Sequence, residues 1–123
     1  LVTVAEETPV NELIETAFAL EDHVGIQLGP VIVNAVYPAT RLPDDVPAAL
    51  RQAGLDAAAP EAVGLAQAAE LRRRRAALQQ GELDRLAANL PLAQVQLPYC
   101  FAATIDDESL ARLSGALLET LGR

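Results

Sequence analysis

Asn34 is the one polar side chain within the run Leu28–Val36 (LGPVIVNAV), and its amide presents a hydrogen-bond donor and an acceptor side by side. That pair matches the edge of adenine. The same amide can instead bond loop carbonyls and hold the turn that follows, and composition alone weighs toward that quieter role. Pro98, Tyr99 and Cys100, with Phe101 after them, form the second candidate group. A proline-fixed turn bearing aromatics offers a wall to a flat ring at small entropic cost. Ordinary packing of the last helix on a sheet explains Phe101 better. Cys100 reads as a small buried hydrophobe, because no cation lies nearby in sequence to lower its thiol pKa.

The other chemistry-bearing groups are weaker candidates. Arg72-Arg73-Arg74-Arg75 looks like a phosphate clamp. Four consecutive helical residues sweep roughly 300°, so they cannot share one face. A solvated helix whose arginine stems cover apolar surface is expected, with Glu70 pairing Arg74 at a four-residue spacing. Glu6-Glu7, Asp44-Asp45 and Asp106-Asp107-Glu108 precede or open helices, where the helix dipole favours carboxylates, and their spacing calls for no metal. A Ser109–His23–Asp triad would need residues from the ends of two different helices. No catalytic residue and no metal ligand is therefore assigned.

These groups depend on the elements that carry them. Leu1–Ala5 is β-rich. Thr8 and Pro9 suit a helix start, as N-cap and first helical residue, and Val10, Leu13, Ile14, Ala17, Leu20 and Val24 give that helix an apolar face. Gly25 is its stop. The continuously apolar Leu28–Val36 fits a strand covered on both faces. After a proline-rich loop to Pro47, helices are expected over Val46–Ala53, Pro60–Gln80 and Glu82–Asn89, with Gly54 and Gly81 as punctuation. Ala93–Leu97 reads as a third strand. Thr104 to Asp107 fits a capping box for a last helix that buries Leu110, Leu113, Leu117 and Leu121. Strands alternating with helices predict an α/β fold in three layers, a parallel sheet of about three strands flanked by helices.

Composition narrows the function classes. The chain has 123 residues, a net charge of −8, one cysteine, one histidine and no methionine. All nine basic residues are arginine, which excludes a GKT/GKS phosphate loop and a Schiff-base lysine. The acidic balance argues against a nucleic-acid partner. No apolar run is long enough to cross a membrane, and no signal segment is apparent, so a cytoplasmic location is expected. Three strands are few for such a sheet. Residues 1–123 are thus expected to be a single partial domain, processed or cut from a longer protein, with an apolar edge left open.

The stretch VTVAEETPVNELIETAFALED followed by GPVIVNAVYP resembles the later part of the ArsA-like ATPases. These are the arsenite-pump and tail-anchored-protein-targeting ATPases of the deviant-Walker P-loop class, and the likeness is closest to actinobacterial members. It rests on Glu15-Thr16 in the first helix, Val33-Asn34 at a strand end, the Arg- and Gln-bearing helix Arg72 to Gln80, and LPLAQVQLPYCF. It covers essentially the whole chain. It implies the C-terminal part of a P-loop NTPase domain, from an ATP-hydrolysing dimer that couples nucleotide state to conformation or to an anion or client protein. Asn34 then matches the family's adenine-reading asparagine, and Pro98, Tyr99 and Cys100 match the loop flanking the base. ATP or ADP with Mg²⁺ would serve the intact protein, homo- or hetero-dimeric. The phosphate-binding half would lie before residue 1, so this chain alone would be inactive and hold nucleotide weakly. The paired-cysteine zinc site of some members has no counterpart here. The reading from a different class is a non-catalytic α/β protein-interaction module. A flavodoxin- or receiver-like domain fits least, lacking the lysine and the phosphate loop.

Overall fold

Three short strands, Val2–Val4 (β1), Val31–Val36 (β2) and Gln94–Pro98 (β3), form a parallel sheet in the order β1-β2-β3. The structure, a computed structural model, describes residues 1–38 and 41–121, with Leu121 as backbone alone. The helices are Glu7–Ala19 (α1), Val46–Gln52 (α2), Pro60–Asn89 (α3) and Asp107–Leu121 (α4), with a π-helical turn at Leu20–Val24. The chain divides into two compact units, Leu1–Pro38 with Leu78–Arg123, and Ala39–Ala77.

In the first unit the register decides what each face of the sheet carries. Thr3 pairs with Val33 and Val31 with Gln94, whereas Val2 pairs with Ile32 and Ile32 with Val95. Alternation sends these two sets to opposite faces. Val31 and Val33 are buried in one cluster with Val10, Leu13 and Ala17 of α1, Leu83 and Leu86 of α3, and Leu90 directly after it. Each fully buried aliphatic side chain there contributes about 1.5–3 kcal/mol. Val95 points to the other face and is fully buried, and α4 packs along β3. Helices, sheet and helix make the three-layer α/β arrangement expected from the alternation of elements. The second face is covered only in part. Val2 of the edge strand is 67% exposed and Asn34 is exposed, so Leu28–Val36 is not the doubly covered strand that its apolar run predicts.

Arg85 fastens α3 to the start of α1. It pairs with Glu82 on its own helix and donates to the Asn11 side chain and to the Glu7 carbonyl. The Gln94 amide donates to the Leu83 carbonyl at 3.1 Å, tying β3 to the same helix.

Several element ends differ from expectation. Helix α1 begins two residues before Pro9, with Glu6 as N-cap making no side-chain cap bond. Pro9 is tolerated there because first-turn N–H groups have no intrahelical acceptor. Gly25 does end the helical segment, in the left-handed conformation with φ 73°, but only after the π-helical turn. Helix α3 runs unbroken through Gly81. A helical glycine costs about 1 kcal/mol without forcing a stop, and the Gln80–Asp84 hydrogen bond and the Glu82–Arg85 pair span that turn. On α4, Leu110 is 53% exposed, Leu113 and Leu117 are half-buried, and Ser109 is the buried residue. The Leu121 side chain lies outside the described residues.

The cap of α4 is Asp106 rather than Thr104. Its carboxylate accepts the Ser109 N–H at 2.9 Å, and that bond holds its pKa below the ordinary carboxylate value. A depressed folded-state pKa contributes stability above the unfolded pKa that disappears as pH falls through the folded one. Asp106→Asn keeps an acceptor that does not titrate, so the variant's helical far-UV signal will decline less between pH 6 and about 3 than the wild type's. Superimposable curves would remove the cap from the acid response.

The second unit comprises α2 and the first part of α3. Asp45 caps α2 by accepting the Ala48 N–H at 2.8 Å, and Val46 is buried behind it. Gly54, at φ 77°, turns the chain after α2. The Asp56 carboxylate accepts the Ala58 N–H before Pro60 opens α3. Glu70 binds Arg73 at 2.8 Å and Arg74 at 2.7 Å, and Arg73 also donates to the Pro43 carbonyl. These hydrogen bonds, Arg73's first, hold the Glu70 pKa below its ordinary value. Arg73 and Arg74 thus serve the fold, converging on one carboxylate, with Arg74 paired to Glu70 at the expected four-residue spacing. Among the described residues no helix is long and apolar enough to cross a membrane.

Candidate functional site

Ligands of open parallel sheets bind beyond the carboxyl ends of the strands. At that end of β1 and β2 the register sets Asn34 beside Val4. A cavity of about 470 Å³ extends along the whole of β1, walled by Leu1, Val2, Val4 and Pro9, with Thr3, Glu12 and Thr16 as polar groups, and reaches Asn34 of β2. An apolar wall with a few convergent polar side chains, at this volume, suits a small flat ligand. The Asn34 side chain is exposed and makes no hydrogen bond among the described residues. It therefore does not bond the loop carbonyls that its quieter role requires.

That role falls to a residue from another element. Gln79 of α3 donates its Nε2–H to the Ala35 carbonyl at 3.0 Å and accepts the Tyr37 N–H on Oε1 at 2.8 Å. Between Val33 and Val36 β2 bulges. Val33 pairs with Gln96 but Val36 with Pro98, three steps along β2 against two along β3. Ala35 sits in the left-handed region at φ 59°, a conformation that costs a residue with a Cβ about 1–2 kcal/mol.

The second candidate group lies past the bulge, beyond β3. The Tyr99 N–H donates to the Val36 carbonyl at 2.7 Å. Tyr37, Tyr99 and Phe101 form a mutual cluster with ring centroids 4.7–5.3 Å apart, tilted or edge-on as aromatic quadrupoles prefer. Tyr99 is 39% and Phe101 57% exposed, so Phe101 is not the buried packing residue its position suggested. Cys100 is half-buried, its Sγ 3.8 Å from the Pro98 carbonyl. Pro98, Tyr99 and Cys100 do not line the cavity that holds Asn34. The structure thus gathers Asn34 with Val4, Glu12 and Thr16, and Tyr99 with Tyr37 and Phe101, at the same end of the sheet but in two groups.

His23 is exposed in the π-helical turn, and Ser109 is buried in the first turn of α4. Among the described residues no three His, Cys, Asp or Glu side chains gather as a metal would require, so no chemistry is derived through a cation. Among the described residues, Glu12 is the one charged side chain in the lining of the cavity. Residues 1–38 carry Glu6, Glu7, Glu12, Glu15, Glu21 and Asp22 and neither Lys nor Arg. Such a surface receives a neutral ring more readily than a phosphate.

Tyr37, Ala35 and Gln79 were not singled out as site residues from the sequence. The one available signal was the tyrosine directly after β2, facing a second aromatic run after β3. No protein-family model matches the chain, and no curated protein matches it.

Proposed function

We propose that this chain is the C-terminal, adenine-side portion of an ATP-hydrolysing ArsA-like ATPase, one that couples its nucleotide state to conformation or to the handling of an anion or client. The observation that carries the proposal is the Asn34 amide, unengaged and solvent-facing near the carboxyl end of β2, on a largely apolar cavity that extends along β1. An amide so placed reads a purine edge, and the Tyr99 ring after β3 can flank the base. Phosphoryl transfer is positioning and charge neutralisation around the phosphates. A chain without lysine, whose cavity is lined by the carboxylate of Glu12 and by no cationic side chain among the described residues, is suited to the base and not to that step. A dimeric, cytoplasmic parent protein, working with Mg²⁺ held elsewhere, belongs to the same proposal.

Calorimetric titration of the chain with ATP and with GTP tests it. Adenine nucleotides are expected to bind weakly, with Kd on the order of 1 mM, and guanine nucleotides more weakly still. No magnesium-dependent phosphate release is expected. Turnover by this chain would refute the division of labour, and equal affinity for the two bases would remove Asn34 as a reader. The second reading, an interaction module, has its own observation in the free edge of β1 and the exposed Val2. It gains if neither nucleotide binds.

A further inference from the structure

We infer that Gln79 is the positioning residue of this site, a latch on α3 that fixes the β2 bulge directly after Asn34 and with it the direction of Tyr37. As a statement about nucleotide recognition it rests on the base-reading role of Asn34; as a statement about the fold it does not.

The bulge changes the parity of the strand. Val31 and Val33 face the core, so unbroken alternation would send Val36 to the same side as Asn34. Val36 instead packs against the core cluster. One extra residue, taken up at Ala35, turns Val36 inward and directs Tyr37 to Tyr99 and Phe101. Bulges next to ligand sites commonly re-aim a side chain in this way.

A bulge with an alanine in the left-handed region needs an external hold. The Gln79 amide bonds the extra residue's own carbonyl and the Tyr37 N–H, so its two bonds bracket Val36 and hold the chain as it leaves Ala35. Only one amide orientation serves, because the Ala35 carbonyl needs a donor and the Tyr37 N–H an acceptor. A glutamate at this position would keep the second bond and set a carboxylate against the Ala35 carbonyl.

The chain is well suited to the test, since it has no tryptophan and only two tyrosines, Tyr37 and Tyr99, which touch each other. Its near-ultraviolet tyrosine circular dichroism therefore reports this cluster. Gln79→Ala is expected to lose most of that band and to shift the Asn34 side-chain amide resonances, while the far-ultraviolet helical signal is kept. Gln79→Glu, which retains one bond and guards against a variant that fails to fold, is expected to show an intermediate loss. Ala35→Gly in the Gln79→Ala background relieves the left-handed strain and should recover part of the band. Wild-type tyrosine and Asn34 signals in Gln79→Ala would overturn the latch.

Nucleotide titration of the same variants separates the two layers. If the wild type prefers adenine nucleotides, Gln79→Ala should weaken them about three- to tenfold, the effect of one or two lost hydrogen bonds. A lost tyrosine band with unchanged adenine affinity would overturn the positioning role. Absence of adenine binding in the wild type would sink the base-reading role alone, leaving the latch to be judged on its spectra.

Discussion

Leu86→Ala will lower the unfolding free energy by about 2–5 kcal/mol, the largest loss expected from any single truncation in the first unit. Leu86 is 1% exposed and lies in one cluster with residues from α1 and β2. Removing its isobutyl group loses the transfer energy and leaves a void that elements held by the sheet ladder cannot close. In a chain of this length the melting temperature should fall by roughly 8–20 °C. Leu118→Ala, at a position 68% exposed on α4, should change stability by less than about 0.5 kcal/mol. Thermal denaturation followed by circular dichroism compares the two. Equal shifts would mean that the cluster is not the cooperative core.

Asn34→Ala should leave the melting temperature nearly unchanged and weaken adenine-nucleotide binding by about 1–3 kcal/mol, roughly five- to 150-fold. The two halves of this expectation have one cause. The amide is exposed and bonds nothing among the described residues, so the fold loses nothing when it goes. A ligand that used it would lose a paired donor and acceptor. Nucleotide titration and melting, measured on the same preparation of the longest soluble form of the protein, decide the matter. A large loss of stability with unchanged affinity would make Asn34 a structural residue after all.

The alternation of strands and helices was legible because it depends on runs of several residues each. Val31, Val33 and Val95 bury as their apolar runs require, and α1 presents Val10, Leu13 and Ala17 at helical spacing. The ends were less legible, since a cap is decided by one residue's dihedrals. Asp106 and Thr104 are both good caps, and only tertiary packing of α4 on β3 selects between them. Gly81 was over-read as a stop, because a helix already anchored by Leu83, Leu86 and Leu90 absorbs the cost of one glycine. Asn34 stood out as the one polar residue in an apolar run. Gln79 could not, because its partners lie 42 and 44 residues away and its meaning depends on a bulge that no local pattern announces.

Among the described residues the strand Val2–Val4 has one neighbour, and nothing in Leu1–Ala5 carries the charged side chain, proline or bulge that ordinarily discourages further pairing. Molecules of this kind, each with a net charge of −8, repel one another in neutral solution. Acidification titrates that mutual repulsion away while leaving the bare ladder intact, which makes mildly acidic, concentrated stocks the condition in which dispersed molecules would first stack into ordered polymers.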